Sequence, residues 1–131
     1  MELGLEWIAI VTGLAVLQVF YFAFQVGKAR EKHGVDAPAM AGHEEFERAC
    51  RIHGNTIEQL VIYLPGLWMF GYYVDARIGA GIGLLFIIGR FVYRGAYLGD
   101  PKKRSAGFGI GALSMVVLVV GGMIGAGMDL M

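Results

Sequence analysis

The chain has little of what usually fixes a small fold or marks a reaction. Cysteine occurs once, at Cys50, so no disulfide can close within the chain and nothing is learned of the redox compartment. Cys50 reads as a free thiol near a membrane interface, not as a nucleophile. Net charge is zero, and no run mixes basic with aromatic residues, which argues against a nucleic-acid partner. No metal is expected, and no low-complexity tract or internal repeat stands out. Charge is absent from Trp7–Gly27, over 21 residues, and from Ser105–Met128, over 24.

Those two gaps decide the class. Each exceeds the roughly 20 residues with which a helix crosses a bilayer. Hydrophobic residues make up 56% of the 131-residue chain and the mean hydropathy is +0.59, more apolar surface than a soluble domain of this length buries. The head MELGLE is acidic and no small-residue cleavage site follows, so the first apolar run is expected to be a retained span rather than a signal peptide. Gln59–Val74 is uncharged for 16 residues, too short to span unless the helix borrows from RIHGNTIE before it. Ile78–Gly99 is long enough but is interrupted by Arg90 and Arg94. The expected fold is therefore an all-α membrane protein, one four-transmembrane-helix bundle with helices near 5–27, 46–74, 77–98 and 104–128.

The loops set an expected orientation. Lys28, Arg30 and Lys32 follow the first helix and Lys102, Lys103 and Arg104 follow the third, while the second loop has Arg77 beside Asp75. By the positive-inside rule the first and third loops are cytoplasmic and both termini lie outside, in a bacterial inner membrane or a eukaryotic endoplasmic reticulum. Pro38 with Gly34 and Gly42 marks the first loop as the flexible connector. Glycine is frequent, at 21 residues, and the pairs Gly79/Gly83, Gly107/Gly111 and Gly121/Gly125 are spaced for close helix packing, within or between chains.

The chemistry gathers at one end. On a helix Arg51, Asn55 and Glu58 share one face, with Arg51 and Glu58 about 10 Å apart. Arg90, Tyr93, Arg94 and Tyr97 recur at i, i+3, i+4 and i+7, again one face. Topology brings these clusters and Arg104 to the same depth, where an ionisable group is costly enough to suggest function. Arg48, Lys102, Lys103 and His53 read as ordinary interfacial residues, and Arg94 as either a headgroup anchor or part of the site. Arginines suit carboxylates, Glu58 suits an ammonium and Asn55 suits an amide. The complement is a small zwitterionic peptide, and Arg104 could lower the pKa of a bound thiol.

FERACRIHGNTIEQLVIYLP and GRFVYRGAYLGDPKKRSAG together resemble the two signatures of the MAPEG family, membrane-associated proteins in eicosanoid and glutathione metabolism. Within it the chain is most similar to the microsomal glutathione S-transferase 3 and leukotriene C4 synthase branch. The resemblance implies a homotrimer of four-helix bundles with glutathione between subunits. It implies that Arg51, Asn55, Glu58, Tyr93 and Tyr97 bind glutathione, with Arg30 reaching in from the first loop, and that Arg104 stabilises the thiolate as the catalytic residue. Arg90, Arg94, His53 and Gln59 would be supporting residues. Gln59 departs from leukotriene C4 synthase-like members, which place a Tyr there, and this weakens the case for leukotriene substrates. The implied activity is glutathione transfer to a lipophilic electrophile from the bilayer, with reduction of lipid hydroperoxides beside it. A non-enzymatic lipid-binding or scaffold member is the alternative. A small four-helix exporter is a further one, disfavoured because its helix 1 should carry an acid where this chain has Gln18.

Overall fold

The structure is a computed structural model that describes residues 3–99 and 104–131, and Glu2, Lys102 and Lys103 lie outside these. The described residues form four helices: α1 Leu5–His33, α2 Glu44–Tyr73, α3 Ala76–Gly99 and α4 Ser105–Asp129. α1 runs six residues past the expected end at 27, because Lys28, Arg30, Glu31 and Lys32 are good helix formers and need not stop at the edge of an apolar run. It stops at Gly34, whose φ of 64° is left-handed and lets the Val35 N–H close on the Arg30 carbonyl at 3.0 Å. Arg30 therefore belongs to the last turn of α1 and not to the loop. α2 opens on His43, whose Nδ1 accepts from the Glu45 N–H at 3.1 Å, and Glu44, Glu45 and Glu47 fill its first turn where the helix dipole favours acids.

The first loop is pinned, contrary to its reading as a flexible connector. Arg30 donates to the carbonyls of Val35 at 3.3 Å and Ala39 at 2.8 Å and lies 4.7 Å over the Phe46 ring. Val35 is buried against Ala29, Phe46 and Ala49. His33 stacks on His43 at 3.5 Å, tying the end of α1 to the start of α2.

α1 and α4 each pack on both α2 and α3 and scarcely on one another, giving an antiparallel bundle with α2 and α3 at its centre. A Cβ placed on Gly4 would reach Ala76, and one on Gly125 would meet Tyr73, so both ends of the described chain lie beside the α2–α3 turn. The two longer connections occupy the other end. The core joins Ile8, Val11 and Ala15 to Tyr63, Leu67 and Phe70, Phe86 and Ile87, and Met115 and Leu118. Tyr63 and Phe86 stack at 4.0 Å, and the Tyr63 hydroxyl donates to the Gly83 carbonyl at 3.1 Å. Most of the spaced glycines sit where helices of the same chain touch. A Cβ on Gly107 would fall 2.4 Å from the Tyr93 nitrogen and 2.7 Å from the Gly89 oxygen, so α3 and α4 meet there backbone to backbone.

Many large apolar side chains lie on the outer surface. Leu17, Phe20, Leu113 and Ile124 are all exposed, an arrangement water penalises and hydrocarbon does not. α1, α3 and α4 are each long and apolar enough to cross a membrane. α2 is longer still but is less apolar, and its first half, Glu44–Glu58, holds six charged side chains. The molecule is a helical membrane protein.

Candidate functional site

Arg90 organises the end of the bundle that carries the polar residues. It is fully buried between α2 and α3, with 0% exposure. Its Nε donates to Thr56 Oγ1 at 3.1 Å, Nη1 to Gln59 Oε1 at 3.0 Å, and Nη2 to Asn55 Oδ1 at 2.9 Å and Thr56 Oγ1 at 2.8 Å. Its guanidinium lies 4.2 Å over the Tyr93 ring. Every acceptor is neutral. Among the described residues no ion pair involves Arg90, Arg51 or Glu58, so a simple Glu–Arg neutralisation does not account for them.

This network assigns directions. The Asn55 carbonyl oxygen is taken by Arg90, which leaves the Asn55 amide N–H groups for the cleft side. Gln59 is buried with its oxygen likewise engaged, so it supports Arg90 and does not line the cleft. Thr56, also fully buried, is a member the sequence reading missed. Its signal was its position beside Asn55 and three before Gln59, on the side of α2 that turns toward α3.

In front of this network lies a cleft of about 640 Å³ lined by Arg51, Asn55, Tyr93, Tyr97, Arg104, Ser105 and Phe108. An adjoining cleft of about 170 Å³ shares Arg51, Asn55 and Tyr93 and adds Gly54 and Glu58. Arg51 and Glu58 are exposed, Asn55 and Tyr97 are half-buried, and Tyr93 is buried. Tyr93 and Tyr97 stack at 5.5 Å, and the Arg104 guanidinium lies 5.4 Å from the Tyr97 ring centre. Arg104 sits immediately before the first residue of α4, and Ser105 and Phe108 extend the wall from its first turn. Ser105 and Phe108 were also missed, although Phe108 stands four residues from Arg104 on the same helical face.

Three expected residues fall elsewhere. Arg30 lines neither cleft and holds the first loop instead. His53 is half-buried on α2 and lines neither cleft. Arg94 faces α1, where it lies 5.6 Å over Tyr21 and its Nη2 reaches Gln25 Oε1 at 3.5 Å. The four-residue stripe on α3 is about 100° wide, so its edges meet different surroundings: Tyr93 lines the cleft that Arg104, Ser105 and Phe108 also line, while Arg94 lies over Tyr21 beside Gln25.

The fold and cleft define a helical membrane protein with a cation-rich, aromatic-walled pocket at one end of its bundle. The MAPEG family model matches residues 8–124, and the chain belongs to the MAPEG family. An uncharacterized Synechocystis protein is 43% identical over 120 residues, 92% of this chain and 88% of that one. Human microsomal glutathione S-transferase 2 is 40% identical over 114 residues, 86% of this chain and 78% of that one. Leukotriene C4 synthase of Cavia porcellus is 36% identical over 99 residues, 76% of this chain and 66% of that one. The leukotriene C4 synthase side of the motif resemblance is thus represented, beside a transferase of type 2.

Proposed function

We propose that the protein is a membrane-bound glutathione transferase that joins the glutathione thiolate to lipophilic electrophiles and also reduces lipid hydroperoxides. One observation carries the reading: Arg51 and Asn55 of α2, Tyr93 and Tyr97 of α3 and Arg104 at the start of α4 line a single cleft, and Glu58 lines the one adjoining it. Arg51 takes a glutathione carboxylate, Glu58 its ammonium, and the Asn55 amide donates to a peptide carbonyl or carboxylate. Arg104 is the catalytic residue, its fixed charge favouring the thiolate over the thiol. Tyr93 and Tyr97 form the wall that places the sulfur, and their hydroxyls are donors for it. In the transfer step the thiolate sulfur bonds to the electrophilic carbon while the leaving group departs with its electron pair. In peroxide reduction two glutathione molecules become the disulfide as the hydroperoxide becomes an alcohol and water.

The working unit is a homotrimer in which all four helices span and the ends carrying the first and third loops face the cytoplasm. α2 supports this, since it exposes Arg51 and Glu58 beside Val61 and Ile62, and charges facing bare lipid are costly. A second copy covering that face would remove the cost and place glutathione between subunits. Arg30, committed to its own loop within one chain, would then reach a neighbour's site.

Adding glutathione to the purified protein is expected to give an ultraviolet thiolate band that Arg104→Ala abolishes, together with turnover of a generic aryl halide. A wild-type protein with neither the band nor turnover would refute the proposal.

A further inference from the structure

A second cleft lies on the opposite side of the α2/α3 pair, against α1, and none of the groups assigned above lines it. Its volume is about 270 Å³. Phe22, Gln25, Lys28, Ala29 and Lys32 supply one wall as a stripe on α1, Ala49 and Ile52 face them from α2, and Arg94 and Leu98 close it from α3. Glu45 is its one carboxylate, set against the cations Lys28, Lys32 and Arg94.

The charge within this cleft is not balanced. Glu45 is already engaged, by Lys32 at 3.4 Å and by His33 at 3.5 Å. Among the described residues neither Lys28 nor Arg94 has an ion-pair partner, and each rests on an aromatic ring instead, Lys28 at 5.9 Å from Phe24 and Arg94 at 5.6 Å from Tyr21. The cleft is also graded along its length. Its cations stand where the uncharged run of α1 ends, at Lys28, and its apolar floor of Phe22 and Ile52 lies deeper along the span, both side chains almost wholly buried.

We propose that this cleft binds the anionic head of an amphiphile, a carboxylate or phosphate held between Lys28 and Arg94 with the first carbons of its acyl chain on Phe22, Ile52 and Leu98. Guanidinium and ammonium groups at the level of the membrane interface recognise such heads by charge and by donated hydrogen bonds. Whole drug-sized ligands fill about 300–1,000 Å³, so this cleft holds the head and the start of the chain while the rest lies in the bilayer. A fatty acid and an anionic phospholipid present the same chemistry here.

The full chain reconstituted in phosphatidylcholine vesicles would be examined by electron spin resonance with chain-labelled stearate, phosphatidic acid and phosphatidylcholine as separate probes, at a pH where stearate is ionised. The motionally restricted fraction is expected to favour an anionic probe over phosphatidylcholine. Restriction of stearate alone identifies a fatty acid, of phosphatidic acid alone a phospholipid, and of both the shared head. Lys28→Gln with Arg94→Gln should lower the preference by about fivefold for each cation removed. Ala49→Leu keeps every charge but fills the floor and should lower it as well. No preference in the wild type overturns the proposal, and so does a preference that survives Ala49→Leu, since loose attraction to surface charge would then account for it.

Discussion

Replacing Arg90 with Met is the perturbation that best separates folding from function in this bundle. Met has similar length and no charge, so it fills the space without the guanidinium. Two acceptors, Gln59 Oε1 and Thr56 Oγ1, would lose their partner in the interior, at about 1–3 kcal/mol each. Thr56 keeps its own bond to the Ile52 carbonyl at 2.7 Å, and Asn55 is half-buried and can turn to other partners. Against this, a buried cation whose acceptors are all neutral carries a desolvation penalty of several kcal/mol, which Met removes. The two terms offset, and the net change in stability is expected within about 2 kcal/mol. Binding should respond more. A ligand atom accepting from the Asn55 amide lies one further hydrogen bond away, on the order of 8 Å from the guanidinium. At an effective dielectric of about 20, a unit charge there is worth about 2 kcal/mol, roughly thirtyfold in affinity for an anion. Calorimetric titration with glutathione and a pH titration of the thiolate band are the assays. The expected result is weaker binding and a raised bound-thiol pKa, with the melting temperature little changed and partial rescue in Arg90→Lys. Affinity within twofold of wild type, with the thiolate titration unmoved, would refute the claim that Arg90 acts on the cleft through Asn55 and Tyr93.

Other consequences can be checked directly. Gly107→Ala should destabilise by about 1–3 kcal/mol and weaken glutathione binding, because the added carbon meets α3 backbone that cannot step aside; Gly109→Ala, with open space around it, should be neutral or slightly stabilising in the same thermal unfolding assay. Tyr63→Phe should cost about 1 kcal/mol by removing the buried hydrogen bond to the Gly83 carbonyl, and should leave the cleft intact. The Lys32 ammonium, helped by His33, holds the Glu45 carboxyl below its usual range. That contribution is therefore present above the unfolded carboxylate pKa and is lost as pH falls through the lower folded value. Melting temperature measured through the acid range should drop less steeply in Glu45→Gln than in wild type, and parallel slopes would contradict this.

The sequence by itself determined the number of helices and the class of solvent, since charge-free runs of that length tolerate nothing but a bilayer. It also determined the two polar stripes, because a period of 3.6 places Arg51, Asn55 and Glu58 on one face whatever packs against it. Which neighbour covers each edge of a stripe is a long-range matter, and there tertiary structure decided. Arg94 and Tyr93 are adjacent in sequence, yet α1 covers one and the approach of α4 at Gly107 covers the other. Asn55 was legible as a ligand contact and Gln59 as a supporting residue, but that each accepts from a buried guanidinium is something no spacing rule could name. That Arg30 donates to its own loop within one chain depended on the helix end at Gly34 and on carbonyls of the loop beyond it. Periodicity fixes where a side chain points around its own axis; only the packing of four axes fixes what it meets.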